Sequence, residues 1–409
     1  MGVPLEYASE ADRQVLSGLR SKGKAWVVGG WVRESLSGQP MTDMDIATTL
    51  LPDEVKEIFP LSLMYGADYG TVVVRLDGNE ESWEVTTLRS EGGYGDGRRP
   101  DNVEFGVDIN EDLSRRDFTI NAMAYDSDWK LIDPYDGISD LENGVLKSVG
   151  DASERLSEDG LRVMRAYRFV ASQKVVSMDA ELRSSVTEKI GMLAQVSKER
   201  IGHEVKRTLA SPNASAALSL MHDDGVIKEI FPGLNARTDL VLCSDYVVNL
   251  AVICSDDGMS SGELSELLKD SLKMSKDDLR EISFLHSSRD APIPSEIPEM
   301  RVFRAALPKL RQSRFIRYCE GLGRDISEFE KSLSELAPLR AGNSPLVDGN
   351  VLSQVTGLEP GPRMGRLKGV LHRIQVERDL SEKDEVLELL EELDWQESKH
   401  DSWYGLGWP

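Results

Sequence analysis

The sequence predicts an α+β N-terminal region, a small mixed sheet with helices against it, followed by an all-α remainder. Three observations carry this. A short apolar strand, Ala25-Trp26-Val27-Val28, runs into Gly29-Gly30. Two β-rich runs, residues 70–76 and 82–88, flank the turn residues Asp77-Gly78-Asn79. From Ser211 onward the apolar pattern is helical almost throughout. At 409 residues the chain exceeds one ordinary core, so about two to four domains are expected.

Taken in order, residues 8–22 read as an opening helix with Ser9 as N-cap before Val15, Leu16 and Leu19. The strand from Ala25 and its Gly-Gly turn lead into a helix carrying Arg33. Asp43 and Asp45 then flank a single residue. Leu51-Pro52-Asp53-Glu54 opens a short helix, because Pro suits the first helical position and acids suit the N-terminal dipole. The hairpin follows. Residues 89–99 are glycine-rich with Arg89, Tyr94, Asp96, Arg98 and Arg99, and read as a mobile loop near the site. Arg115-Arg116-Asp117 precedes what reads as an apolar helix, and Leu131-Ile132 is a strand ending in a turn.

A new region starts near Leu146. Residues 157–169 read as a helix start on which, at about 100° per residue, Asp159 and Arg162 lie within ~60° of each other. Arg165 sits at the edge of that face and Arg168 on the opposite side. Ser197 is expected to cap another helix running through Arg200 and Glu204. Further breaks fall near Gly233, Gly258 and Pro292. Two basic stripes, Arg301, Arg304, Lys309, Arg311, Arg314, Arg317 and Arg363, Arg366, Lys368, His372, Arg373, are either solvated helix faces or a track for a polyanion. The residues from Gln396 read as frayed.

Composition sets bounds. Apolar content is 40%, with no run long enough to span a bilayer. The N-terminus has no basic region followed by an apolar one, so no signal peptide is expected. Cys243, Cys254 and Cys319 have no metal-like spacing and cannot all pair, which favours a reducing cytoplasm. A net charge of −23 is awkward for nucleic-acid binding, yet the basic residues cluster and the local field decides.

The stretch from Ala25 to Asp45 orders chemistry as phosphate first and metal second. Gly29 and Gly30 let a backbone approach a phosphate, and the helix N-terminus behind them favours negative charge. In an extended segment Asp43 and Asp45 share a face. Two hard oxygen ligands suit Mg²⁺, which completes its shell with water and substrate phosphate. Glu84, on a strand that neighbours Asp45 in this reading, is either a third carboxylate for the metal or an outward-facing strand residue. The Arg115-Arg116 pair is either part of the site or a surface charge patch.

These elements stand in a particular order: Gly29-Gly30-x-x-Arg33 with Asp43-x-Asp45; the 89–99 loop; Arg115-Arg116-Asp117; Glu158-Asp159-x-x-Arg162; and Glu199-Arg200-x-x-x-Glu204. Leu346-Val347-Asp348-Gly349-Asn350 and Pro360-Gly361-Pro362-x-x-Gly365 follow. In that order the chain resembles the class II tRNA nucleotidyltransferases, the CCA-adding enzymes of the polymerase-β-like superfamily. The resemblance implies a catalytic head (1–145), a neck that reads the base (146–212), a body (213–340) and a tRNA-binding tail (341–409). It implies addition of C, C and A to the tRNA 3′ end from CTP and ATP with two Mg²⁺ ions on Asp43 and Asp45. Gly29, Gly30, Arg33, Arg115 and Arg116 would support the triphosphate, Asp117 the ribose, and Asp159 with Arg162 and Arg165 the base. The loop would help switch from C to A, and Arg301, Arg304, Arg311, Arg314, Arg363 and Arg366 are candidates for tRNA contact.

The residues support that base choice independently. Cytosine and adenine present an amino group beside an unprotonated ring nitrogen, whereas uracil and guanine present a carbonyl beside a ring N–H. An Asp acceptor with an Arg donor matches the first two. The bland alternative is an i,i+3 helix ion pair worth ~0.2–0.5 kcal/mol. Two-metal transfer needs no histidine base, and His203 reads as structural. The alternatives are an enzyme adding only the terminal A, a poly(A) polymerase, or a tRNA-binding module without catalysis.

Overall fold

A computed structural model describes residues 4–38, 43–92, 102–172, 175–238, 240, 242–255, 258–397 and 399–409. The chain divides into two compact units, Met1–Leu234 with Leu268–Met274, and Asn235–Leu267 with Ser275–Pro409.

In the first unit, helix α1 (Glu10–Arg20) starts at a capping box: Ser9 Oγ accepts from Asp12 N at 3.0 Å, and Asp12 Oδ2 accepts from Ser9 N at 2.8 Å. Strand β1 (Ala25–Val28) leads into α2 (Gly30–Ser37), β2 (Asp45–Thr48) and α3 (Pro52–Ile58), whose first residue is the expected proline. The hairpin forms as β3 (Thr71–Arg75) and β4 (Ser82–Thr87). Next come a separate two-stranded piece, β5 (Arg89–Gly92) against β6 (Asn102–Phe105), and α4 (Ile109–Ser114). The expected apolar helix after Asp117 does not form. A single 3₁₀ turn, Thr119–Asn121, gives way to β7 (Ala124–Tyr125), because β1 has an open edge that Val27 and Val28 fill by pairing with Tyr125 and Ala124. Strand β8 (Leu131–Ile132) closes a six-stranded mixed sheet of order β3-β4-β2-β1-β7-β8.

Side-chain alternation along β1 builds a core on both faces. Ala25 and Val27 join Ile46, Val72, Trp83 and Val85 beneath α1 and α2, while Val28 joins Ala47, Leu88, Leu113 and Ala124 on the other side. After α5 (Gly137–Asn143) the chain is mainly helical: α6 (Ala152–Glu158), α7 (Leu161–Val170), α8 (Ala180–Lys189) and α9 (Lys198–Leu209). Ser197 is the N-cap residue of α9, although its side chain makes no capping bond. The helix Ala214–Asp223, expected in a separate body, belongs to this unit, where Tyr167 Oη donates to Asp224 Oδ2 at 3.0 Å just beyond it.

Among the described residues the second unit forms helices joined by turns, with no strand. Its C-terminal residues are tied down instead of frayed: Trp408 packs edge-on to Phe315 and Phe303, at ring centroid distances of 4.3 and 4.9 Å. Trp403 packs against a core of Val347, Leu352, Leu367, Leu371 and Leu389.

Gly137 touches the backbone that shapes the site. A Cβ there would lie 2.3 Å from the Thr119 carbonyl oxygen, at the turn that presents Asn121. Gly137→Ala is expected to cost about 1–3 kcal/mol and lower the melting temperature by several degrees. Calorimetry checks this, and an unchanged midpoint contradicts the close contact.

Candidate active site

The antiparallel pairing of β1 with β2 puts Val28 opposite Asp45, so the Gly29 turn and the carboxylate meet at the same sheet end. Gly29 has φ +72°, a left-handed conformation that favours glycine. A Cβ on it would stand 2.8 Å from Asp45 Oδ2 and 3.7 Å from Arg116 Nη1. The missing side chain is therefore what admits the carboxylate to the turn, with the Arg116 guanidinium at ordinary contact distance beside it.

A cavity of 1010 Å³ opens here, lined by Gly29, Gly30, Arg33, Asp43, Asp45, Arg115, Arg116, Asp117, Asp159, Arg162 and Arg165. These residues come from turns and helices spread over more than a hundred positions of sequence. Asp43 is exposed at the mouth, and Asp45 is partly covered. Burial, then the charges of Glu84, Asp43 and Glu34 working against Arg116, push the Asp45 carboxyl up to about 6. Crowded hard-oxygen donors that resist ionising together suit a divalent cation, so this donor set fits Mg²⁺. Ile46 pairs in register with Val85, which sets Glu84 one strand from Asp45, on an exposed position. Among the described residues no three acidic, His or Cys side chains gather as a preformed metal cage.

The arginines are held by carboxylates. Asp112, nearly fully buried, accepts from Arg115 at 2.8 and 3.0 Å and from Arg116 at 3.4 Å. Burial opposes its charge, yet the two guanidiniums hold its carboxyl below the usual range. Glu91, on β5, takes a further Nη of Arg115 at 2.8 Å and Arg89 Nε at 2.7 Å. Arg33 donates to Asn121 Oδ1 and Glu34, and its guanidinium lies 5.2 Å from the Phe169 ring centre. Of the expected loop, Arg89–Gly92 form a strand instead, while the candidates Tyr94, Asp96, Arg98 and Arg99 lie outside the described residues.

The helical geometry expected around Asp159 is corrected. Helix α6 ends at Glu158, Asp159 is extended, and α7 begins only at Leu161, so Asp159 belongs to a turn. The turn is closely packed, since a Cβ on Gly160 would lie 2.7 Å from the Met192 carbonyl oxygen. Asp159 does not pair with Arg162. It accepts from both Nη atoms of Arg200, at 3.2 and 2.6 Å, and from Leu161 N at 3.0 Å. Arg162 is held instead by Glu158 and by the carbonyls of Arg155 (2.8 Å) and Arg115 (3.2 Å). Arg168, expected on the opposite side, lines the same cavity, because angles counted from Asp159 do not apply across a break. Its Nε stands 2.7 Å from Glu204 Oε2.

Asp117 accepts from Arg165 Nε at 2.6 Å, from Asn121 Nδ2 at 3.2 Å and from its neighbour Phe118 N. Sequence reasoning left Asn121, Phe169, Arg200 and Arg207 without roles. Arg200 stood in a recognised motif, but its partner is 41 residues away, where no spacing rule reaches. His203 is exposed and lines no part of the cavity.

In the second unit all six candidate tRNA-contacting arginines make internal bonds. Arg301 donates to the Glu377 carbonyl (3.0 Å) and Arg304 to that of Leu336 (2.6 Å). Arg311 meets Glu281 and Arg314 meets Asp245 (2.8 Å). Arg363 donates to the Trp395 and Gln396 carbonyls (both 2.7 Å), and Arg366 to the His400 carbonyl (3.1 Å). Carbonyls near helix ends are natural partners for arginine. Each of these side chains therefore has a structural task.

The "Poly A polymerase head domain" family model matches residues 25–147, and "Probable RNA and SrmB- binding site of polymerase A" matches 176–237. The chain is 33% identical over 380 residues to the CCA-adding enzyme of Geobacillus sp. strain WCH70, covering 88% of this chain and 91% of that one. It is 33% identical over 395 residues to the CCA-adding enzyme of Limosilactobacillus reuteri strain DSM 20016, covering 94% and 96%. The solved Bacillus stearothermophilus CCA-adding enzyme in complex with CTP aligns with TM-score 0.77 and 26% identity, over 96% of this chain and 98% of that one. The Thermotoga maritima CCA-adding enzyme complexed with tRNA shares the fold, with TM-score 0.63 and 20% identity, over the same shares of each chain.

The Asp117 pair gives a pH prediction. Burial works against its charge, but Arg165, Asn121 and Arg162 hold the carboxyl down to about 2, from an ordinary 3.8. A depressed native pKa contributes stability above the unfolded value, and that contribution is lost as pH falls from about 4 towards about 2. Asp117→Asn should therefore remove on the order of 2 kcal/mol of the acid-dependent loss across that window. Denaturant titrations at pH 5 and pH 2.5 test it, and equal acid sensitivity in both proteins contradicts it.

Proposed function

The chain belongs to the CCA-adding enzyme family of tRNA nucleotidyltransferases, and we propose that its first-unit cavity joins CTP, CTP and then ATP to a tRNA 3′ end. The observation that carries this is the convergence on one cavity of the Gly29-Gly30 turn, Asp43 with Asp45, the Arg115-Arg116-Asp117 segment and Asp159 with Arg162.

Asp43 and Asp45 would hold two Mg²⁺ ions. Bound there, the metal would acidify the primer 3′-hydroxyl and offset charge building on the leaving pyrophosphate. Glu84, one strand away, adds its negative field to the pair. Gly29 and Gly30 leave room for the triphosphate, and Arg33, Arg115 and Arg116 face it. Asp112 and Glu91 keep the Arg115 guanidinium in place before the ligand arrives, so little reorganisation is needed when charge develops. Asp117, fixed by Arg165 and Asn121, is positioned to accept from a ribose hydroxyl.

Base choice falls to Asp159 and Arg162. Arg200 donates to each Asp159 oxygen, and Leu161 N donates to Oδ1 as well, which fixes the plane of the carboxylate and leaves a lone pair on Oδ2 for an amino group. Arg162, aimed by Glu158 and two carbonyls, supplies the N–H for a ring nitrogen. Arg165 acts through Asp117. A uracil or guanine would set its carbonyl against Asp159 and its ring N–H against Arg162, and both contacts are repulsive. We place the reaction in the cytoplasm, a reading supported by three cysteines that form no disulfide among the described residues. No helix among the described residues is long and apolar enough to cross a membrane.

Incubation with Mg²⁺, CTP and ATP should extend tRNA lacking CCA and tRNA lacking only the final A, and leave complete tRNA unchanged. Extension of the A-lacking substrate alone would point to A addition, and long A tracts to poly(A) synthesis. Asp159→Ala should reduce the preference for CTP over UTP by about 10- to 100-fold, the worth of hydrogen bonds to a charged group. An Asp159→Ala protein that is folded, active and equally selective would remove Asp159 from base reading.

A further inference from the structure

Beyond the nucleotide motifs the same cavity continues between the C-terminal ends of α7 and α9, where Arg168, Phe169, Ser172, Arg207 and Ser211 line it. Ligand sites for one small molecule span about 300–1,000 Å³, so 1010 Å³ holds a nucleoside triphosphate with space left over. Arg168 lies six residues, or about 9 Å of helix rise, beyond Arg162.

The charges in this space do not balance. Arg168 is surrounded by Arg165, Glu204, Asp117 and Arg207. Asp117 is already bonded to Arg165, and Glu204 is shared between Arg165, at 4.0 Å, and Arg168. The guanidinium of Arg207, an exposed residue, makes no hydrogen bond or ion pair with the described residues. It therefore adds positive charge to a neighbourhood that burial and Arg165 already make unfavourable for the Arg168 cation. An anion in the cavity would relieve this.

The hydroxyls point to the kind of anion. Ser172 Oγ donates to the Phe169 carbonyl at 2.6 Å, and Ser211 Oγ donates to the Arg207 carbonyl at 2.7 Å. With their hydrogens so placed, both oxygens present lone pairs, to which a ribose 2′-hydroxyl can donate and a phosphate oxygen cannot.

We propose that this end of the cavity binds the sugar–phosphate backbone of the acceptor RNA's last nucleotides, with Arg207 and Arg168 on a phosphodiester and Ser172 and Ser211 beside the ribose. The inference rests on the reading that the cavity joins a nucleotide to an RNA 3′ end. It assigns acceptor binding to residues outside the nucleotide motifs and in the first unit, not to the arginine stripes of the second.

The test measures binding of labelled tRNA lacking CCA to wild type, Arg207→Ala and Arg207→Lys over a salt series, with CTP affinity measured by calorimetry without RNA. Arg207→Ala should weaken tRNA binding about three- to tenfold and reduce the log–log salt slope by roughly 0.7–0.9, the value of one phosphate contact. CTP affinity should not change, and Arg207→Lys should keep most of the salt slope. A loss of CTP affinity would assign Arg207 to the triphosphate instead. Unchanged tRNA binding and slope would make it an ordinary surface charge. Wild-type incorporation, run alongside, keeps the two readings apart: a wild type that does not extend tRNA defeats the functional reading, whereas an active wild type with an indifferent Arg207→Ala defeats only this inference.

Discussion

The site depends on one approach, that of the Asp45 carboxylate to the backbone of Gly29. It follows from β1 ending at Val28 exactly where its antiparallel neighbour β2 begins, and it is sterically possible only because residue 29 has no Cβ. Arg116 stands beside it. The Gly29 turn, the Asp45 carboxylate and the Arg116 guanidinium thus occupy one sheet end, and the hydrophobic cores on both faces hold that end in place.

Around this centre, buried charges are paired, some within one helical turn and others over long sequence separations. Asp112 holds Arg115 and Arg116, Asp117 holds Arg165, Glu204 meets Arg168, and Arg200 holds Asp159. Removing one partner of such a pair leaves an uncompensated buried charge, so the network favours a single arrangement of the cavity wall. Glu91 extends it to the β5–β6 piece, linking that piece to Arg115. The nucleotide site is therefore organised in advance by the protein's own carboxylates.

What was legible in the sequence was local. Ser9 and its capping box, the Pro52 helix start, the β3–β4 hairpin and the Asp43/Asp45 pair follow from spacing and turn chemistry over a few residues. Errors arose where tertiary structure overrode local pattern. The apolar run after Asp117 becomes a strand because β1 needs a partner, and the helix expected through Asp159 is interrupted there by an extended Asp159 beside Gly160, which packs on the Met192 backbone. The Asp159-Gly160 dipeptide carried a turn signal that the helical periodicity outweighed. The arginine stripes of the second unit met internal carboxylates and helix-end carbonyls, partners that no one-dimensional pattern displays.

The central claim is that one cavity, with one set of side chains, takes both CTP and ATP. Calorimetric titration of each nucleotide, and of ATP into protein saturated with CTP, tests it most directly. The account predicts one nucleotide bound per chain and full competition between the two. Simultaneous binding of CTP and ATP at independent sites would contradict it.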